Sequence, residues 1–453
     1  MAWQRLAAAS LLAFAVSAID LDINDPDSVK HAAFITSHGM MSYYSGNESG
    51  QTPGYLPGSG TPEGYYWWEG GAMFGSLIDY WYYTGDSTYN DVLTQGMLFQ
   101  VGVDENYQPD NASTSLGNDD QAFWAMSAMK AAELRFPNPP EDKPQWVPLV
   151  QTVFAYQVGR WDTKTCGGGL RWQVFQFNNG YDYKNAISTG CLFNMASRLG
   201  KYTGNSTYLD WAEKAYDWIK SVDLIDPKTY AVYDGVSVTD NCTSLNRLQW
   251  SYNFGVLLYG AACMWNVTGS DQWKKEVTSL LTGGQVFWPK GVLKEVACED
   301  SANCNNDQKS FKAYTSDWMA ETAKVAPFTE PTISPILAAS AKAAAVQCSG
   351  GNDGVTCGMK WGQSTWDGSA GVGQQMAAME IFNTQLAKYV AGPITNGDSG
   401  LSKSDPNAGN SATTDAQPSS HTSLIDMGDK AGAGILTFLF AATTIGGAVW
   451  VSL

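Results

Sequence analysis

The chain has 453 residues and carries 44 Asp and Glu against 27 Lys and Arg, a formal charge of −17. An acidic chain with no basic stripe excludes nucleic acid as a partner. An aromatic content of 13%, with 18 Trp and 22 Tyr, excludes disorder. There are three histidines (His31, His38, His421), which disfavours a His-rich zinc site and a Ser-His-Asp triad and points any chemistry to carboxylates.

Residues 1–18 place one Arg before an apolar run and end in Ser17 and Ala18. That is the pattern of a secretory signal peptide cut near Ala18, too short to span a bilayer. Eight Cys without a C-x-x-C then predict four disulfides in an oxidising compartment, with Cys298–Cys304 and Cys348–Cys357 as local bridges. Sequons at Asn47, Asn111, Asn205, Asn241 and Asn266 predict glycosylated surface loops.

Between the ends, six segments are apolar or small on nearly every face, as helices buried all round are. They begin at Tyr65, Asn118, Tyr181, Gln249, Lys309 and Val372. Three of them run into a T-G turn, in DYWYYTGDSTYNDVL, SRLGKYTGNSTYLDWAEKAYDWI and AACMWNVTGSDQWKKEVTSLL, where Gly suits the left-handed end of one helix. In the last two, the Asn or Ser after Gly opens the next helix. Six inner helices, each with an amphipathic outer partner, predict one all-α domain over residues 19–390, an (α/α)6 barrel. Residues 228–238 are the one candidate hairpin.

Parallel inner helices gather their N-termini, with unsatisfied N–H groups and positive dipole ends, on one face. The polar and aromatic residues cluster there: Trp67, Trp68, Glu69, Tyr183, Trp250, Tyr252, Asn253 and Gln374, with Asn178 and Asn179 just ahead of an inner helix. Aromatic faces cover the C–H side of a sugar ring while amides and acids bond its hydroxyls, so this bowl predicts a carbohydrate site. Within SLGNDDQAFW, Asn118 is an N-cap candidate, and Asp119-Asp120 can serve simply to complement the helix dipole. On a buried helix, however, adjacent acids face a cavity and cannot ionise equally, which yields an acid and a nucleophile. Retaining glycosidases hold their carboxyls about 5–5.5 Å apart and inverting ones about 6.5–9.5 Å, so neighbouring residues predict retention. Glu69 is the rival carboxylate, followed by Asp182 and Asp317. No metal-ligand spacing, nucleotide loop, GxSxG or HExxH occurs, so no cofactor is expected.

The C-terminal end closes the reading. Residues 434–453 carry no charge and follow a polar stretch, 391–433, rich in Ser, Thr, Asn and Gly. That combination predicts a GPI-attachment signal, with the lipid added within about residues 407–428 and the tail removed. A single-pass tail anchor is the alternative.

The strings YYWWEGGAM, SLGNDDQAFW, CGGGLRWQ, FNNGYDYKNAIS, QWSYNFG, DQKSFKAY and GVGQQM resemble glycoside hydrolase family 76 over about residues 20–390. The resemblance is to its fungal branch of GPI-anchored, cell-wall mannan endo-1,6-α-mannosidase-like proteins. It implies an (α/α)6 fold and retaining action on α-1,6-mannose linkages, with Asp119 as nucleophile and Asp120 as acid/base. For the fungal branch it also implies cleavage within the GPI glycan and transfer of the glycoprotein to cell-wall glucan, at the outer face of the plasma membrane. In CGGGLRW, Arg171 and Trp172 are subsite candidates, and Lys184, Lys309 and Lys312 could meet a phosphate on a GPI glycan. A non-catalytic mannan- or GPI-glycan-binding wall protein is the competing reading, against which the Asp pair counts. A polysaccharide lyase fits poorly with so acidic a chain.

Overall fold

The computed structural model describes residues 18–59, 64–112, 116–395, 397 and 400–410. Residues 1–17 and 411–453, with most of the expected leader, most of the expected attachment window and all of the expected tail 434–453, lie outside the described residues.

Among the described residues twelve α-helices make two concentric rings. The inner ring is α2 (Trp67–Thr84), α4 (Asn118–Glu133), α6 (Ala186–Thr203), α8 (Ser251–Thr268), α10 (Asn306–Val325) and α12 (Val372–Asn383). Each packs on the next and α12 closes on α2, as the sequence predicted for an (α/α)6 barrel. Helix α4 shows why the ring forms: of its residues Asn118–Glu133, only Asp120 and Lys130 escape full burial. The outer ring is α1 (Pro26–Met41), α3 (Asn90–Phe99), α5 (Trp146–Gly159), α7 (Ser206–Ser221), α9 (Asp271–Gly283) and α11 (Glu330–Gln347). Helix α1, which the repeat did not reveal, is the outer partner of α12. Among the described residues the barrel therefore opens with an outer helix and closes with an inner one.

The T-G turns behave as their chemistry requires. Gly85, Gly204 and Gly269 end α2, α6 and α8 at φ of 80°, 72° and 63°, where a side chain would be strained. Asn205 and Ser270 then cap α7 and α9 through Thr207 N–H and Gln272 N–H. Strands are few. β1 (Tyr183–Asn185) pairs antiparallel with β2 (Gly235–Ser237), which pairs with β3 (Leu245–Asn246). The expected hairpin at 228–238 thus supplies one strand of a three-stranded sheet. A second small sheet joins β4 (Cys348–Gly350) to β5 (Thr356–Cys357).

Three disulfides form, Cys166–Cys242, Cys298–Cys304 and Cys348–Cys357. This corrects the expectation of four: Cys191 and Cys263 are free thiols. Both sit fully buried within inner helices, where a thiol packs as a small apolar group. Asn47, Asn205, Asn241 and Asn266 are exposed, as glycosylation requires.

On the face formed by the C-terminal ends of the inner helices, the chain after α12 runs as a strap. Ile394 N–H donates to Glu133 C=O, Lys201 Nζ to Pro393 C=O, and Lys324 Nζ to Val390 C=O. Ser402 then docks on the start of α5, and Gly409 lies against Thr152 and Ala155. The first part of the stretch expected as a spacer is therefore bound to the barrel. Among the described residues no helix is long and apolar enough to cross a membrane.

Candidate active site

At the N-terminal ends of α2, α4, α6, α8 and α10 the barrel opens into a cavity of about 510 Å3. The start of α4 forms one wall. It is stitched to the 171–174 loop: Asn118 N–H donates to Trp172 C=O at 2.8 Å, Val174 N–H to Leu116 C=O at 3.0 Å, and Asn118 Nδ2 to Arg171 C=O at 2.8 Å. The N-cap of α4 is Gly117, not Asn118, because Asn118 already has helical geometry and turns its amide to that loop.

Gly117 is needed for space. A Cβ there would collide with Asp119 Oδ1 and lie 3.1 Å from Asp120 Oδ2. Asp120 Oδ2 accepts the Gly117 N–H at 2.7 Å, which fixes one carboxylate at the helix terminus. Asp119 Oδ1 accepts the Ser188 hydroxyl of α6 at 3.3 Å. Both carboxyls line the cavity and hold protons more tightly than free aspartate. Burial pushes Asp119 up to about 7, while its own and the Asp120 backbone N–H, Ser188 and Trp172 oppose that by hydrogen bonding. Asp120 is raised well above its usual value by burial, then by the charge of Asp119, with Asp307 adding to it. Asp119 thus carries more stabilising donors and Asp120 more like charge, so the pair is unequal.

The structure brings Trp68, Asn178, Asn179, Tyr183, Trp250 and Tyr252 to the cavity wall with the aspartates. Tyr252 stacks on Phe311 at 3.8 Å between centroids, giving a flat, rigid aromatic face. Trp172, from the three-glycine loop, also lines the cavity and is 37% exposed.

Other candidates lie away from the cavity. Trp67 stacks on Trp124 in the core and donates to Gln100 Oε1 at 2.8 Å. Glu69 is fully buried beside the wall, and Gln374 is buried at the start of α12. Arg171 pairs with Asp162 at 2.9 Å and lies over the Tyr181 ring. Asn253 stands behind the wall, its Nδ2 3.5 Å from Asp234 Oδ1. Asp317 pairs with Lys130 in the barrel interior, and Asp182 does not reach the cavity. The lysines correct the phosphate expectation. Buried Lys184 donates to the carbonyls of Asp162, Thr165 and Gly168, and buried Lys312 pairs with Glu299 at 2.8 Å. Both are saturated inside the protein. Lys309 donates to Asn306 Oδ1 and is not in the wall.

Two further carboxylates face the cavity that the sequence did not single out. Asp234 precedes β2 and accepts the Tyr183 hydroxyl at 2.7 Å and Asn246 Nδ2 at 3.2 Å. Asp307, in the first turn of α10, accepts Trp68 Nε1 at 3.2 Å, and burial raises it to about 6. The cap that placed it was legible, since Asn305 and Gln308 form a capping box around it. Tyr66, Gln173, Asn185 and Gln308 complete the polar rim. Among the described residues no group of three or more His, Cys, Asp or Glu could hold a metal ion.

Residues 28–397 match the profile of glycosyl hydrolase family 76. The mannan endo-1,6-alpha-mannosidase DCW1 of Saccharomyces cerevisiae is 46% identical over 437 residues, covering 96% of this chain and 95% of that protein. The crystal structure of Dfg5 from Chaetomium thermophilum in complex with glucosamine superposes with a TM-score of 0.83 at 47% identity, over 86% of this chain and 97% of that one. An inactive variant of an α-1,6-mannanase of Salegentibacter sp., in complex with α-1,6-mannotriose, shares the fold at a TM-score of 0.62 and 18% identity, over 79% of this chain and 99% of that one.

Proposed function

The chain belongs to glycosyl hydrolase family 76, and on that premise we propose that it is a retaining endo-α-1,6-mannosidase working by double displacement on Asp119 and Asp120. The observation that carries the reading is the unequal carboxyl pair on a cavity wall of aromatic rings and amides.

In the first step the Asp119 carboxylate attacks the anomeric carbon of a mannosyl unit. The C–O bond to the leaving sugar breaks, and the departing oxygen takes the Asp120 proton. A covalent mannosyl ester on Asp119 results. In the second step Asp120, now ionised, takes a proton from an incoming hydroxyl whose oxygen attacks the anomeric carbon and frees Asp119. Two inversions give net retention. Donors from Ser188 and the helix terminus favour the charged form of Asp119, which suits the nucleophile; the like charges around Asp120 favour its protonated form, which suits the acid.

The incoming hydroxyl can belong to water or to a sugar. We propose transfer as the physiological outcome: the enzyme cleaves the mannose core of a GPI glycan and passes the attached glycoprotein to cell-wall glucan. The chain would work at the outer face of the plasma membrane, held there by a GPI lipid after removal of residues 1–18 and of the tail 434–453. Disulfides and exposed sequons support an extracellular setting. The test is to incubate the enzyme with α-1,6-mannobiose and longer α-1,6-oligomannosides, with and without a glucan oligosaccharide, and to weigh the products. Mass adducts of mannosyl units on glucan support transfer. Shortened mannosides alone reduce the function to hydrolysis, and binding without turnover leaves a wall lectin.

A further inference from the structure

Resting on the proposed action on oligosaccharides, we propose that Phe177 is an outer sugar platform, its ring stacking on the C–H face of a neutral pyranose unit that lies beyond the cavity.

The side chain is exposed yet fixed. Phe177 is 74% exposed, and among the described residues no large apolar side chain is more so. Its ring stacks on that of buried Phe175 at 5.3 Å between centroids and 13° between planes. The loop that carries both is closed at its base, where Trp172 N–H donates to Tyr183 C=O at 2.7 Å. Within it Asn178 N–H donates to Phe175 C=O at 3.0 Å and Tyr181 N–H to Asn178 C=O at 3.2 Å. Asn178 Nδ2 also donates to Gln173 Oε1 at 3.0 Å, and Arg171 donates to Tyr181 C=O at 2.8 Å. Gly180, at a φ of 94°, leaves room for the Trp172 ring, which a Cβ there would strike. A loop bonded in this way presents Phe177 already ordered, so little side-chain entropy is lost when a ligand lands on it.

The surroundings favour a sugar. Asn178 and Asn179, next in the chain, line the cavity, as do Trp172 and Gln173 at the start of the loop. Gln173 also bridges to Gly117, whose N–H fixes Asp120. Phe177 therefore continues the wall that holds the aspartate pair. The ring stands singly among amides, with exposed Gln176 on one side and the two Asn on the other. A lipid surface or a protein partner calls for a contiguous apolar patch, whereas one aromatic face beside amide groups has the composition of a sugar site. An α-1,6-mannoside chain and a glucan acceptor both offer a pyranose C–H face to such a ring.

The experiment measures oligosaccharide binding by calorimetry for three chains that carry Asp119→Asn to prevent turnover: with Phe177 intact, with Phe177→Ala and with Phe177→Trp. The ligands are α-1,6-mannobiose, α-1,6-mannotetraose and a glucan tetrasaccharide. Phe177→Ala should weaken a tetrasaccharide by roughly two- to tenfold, the range for one lost aromatic stack, and mannobiose by less. Phe177→Trp keeps a flat ring and should restore the affinity. Loss on mannotetraose assigns the platform to the mannoside chain, and loss on the glucan assigns it to the acceptor. Equal affinities with and without Phe177 for both tetrasaccharides, or binding of neither, overturn the inference. Binding to phosphatidylcholine vesicles that is lost in Phe177→Ala, with sugar affinities unmoved, also overturns it and gives the ring to a lipid surface. Sugar binding that depends on Phe177 in a chain whose native Asp119 form turns over no mannoside upholds the platform and removes the proposed catalysis instead.

Discussion

The strap after α12 makes a quantitative demand. Helix α5 has no side-chain cap of its own at Gln145; its Val147 N–H is capped instead by Ser402 Oγ at 3.0 Å, from a residue 255 positions later. Ser402 is 1% exposed, and its carbonyl accepts the buried Tyr202 hydroxyl at 2.6 Å. Outside it, Asp405 N–H donates to Gln151 Oε1 at 2.8 Å and Leu401 C=O accepts Asn138 Nδ2 at 2.8 Å. Ser402→Ala removes the cap alone and should cost about 1 kcal/mol. Ending the chain at residue 395 leaves both Val147 N–H and the Tyr202 hydroxyl without partners, and should cost about 3 kcal/mol relative to a chain ending at 410. Urea unfolding followed by tryptophan fluorescence reads both, while the rate of the folded enzyme should be unchanged, since the strap lies on the face away from the cavity. Equal midpoints for the chains ending at 395 and 410 would refute the reasoning, and would make residues 400–410 a passive tether.

Three further outcomes are expected. Gly117→Ala should lower kcat by roughly a hundredfold with little change in unfolding midpoint, because the new methyl pushes on both carboxyls rather than on the core; an active variant would show that the pair is not held where the cap places it. Alkylation of the denatured, unreduced chain should modify two cysteines, Cys191 and Cys263, and peptide mapping that finds them joined would contradict their separate burial. The pH dependence of stability has a defined sign. Burial raises Glu321 and Glu380 to about 7 from a usual value of 4.5. The folded state therefore holds protons that the unfolded chain releases, and this contribution, present below about pH 4.5, is lost as pH rises towards 7. Thermal unfolding should show the protein less stable at pH 8 than at pH 5; Glu321 and Glu380 share a cluster and together contribute about 3 kcal/mol, the equivalent of one such shift, and the raised Asp119 adds in the same direction. Greater stability at pH 8 would mean these acids are ionised in the fold.

The barrel was legible because a helix buried on every face leaves an apolar run without a polar stripe, and because the three T-G turns marked where inner helices end. Helix α1 was not, since it pairs with α12 from the far end of the chain and belongs to no local repeat. The aspartate pair stood out as two acids opening a buried helix. The walls were harder to read. Trp67 and Trp68 are neighbours in sequence, yet successive residues on a helix point about 100° apart, so one enters the core and the other the cavity. Lys184 and Lys312 resemble solvated surface lysines in sequence, and only the fold reveals the carbonyls and the carboxylate that satisfy them. Asp234 owes its place to a sheet whose strands come from three separated segments, a long-range pairing that leaves no local signal.

The most direct test of the double displacement is to trap its intermediate. A mannosyl donor with a good leaving group and an electron-withdrawing 2-substituent slows the second step more than the first, so a covalent ester should accumulate and be located by peptide mass. The account predicts one mannosyl unit on Asp119, α-configured products from α-linked substrate by NMR, and loss of both in Asp119→Asn. An ester on Asp120, or inverted products with no adduct at all, would contradict it.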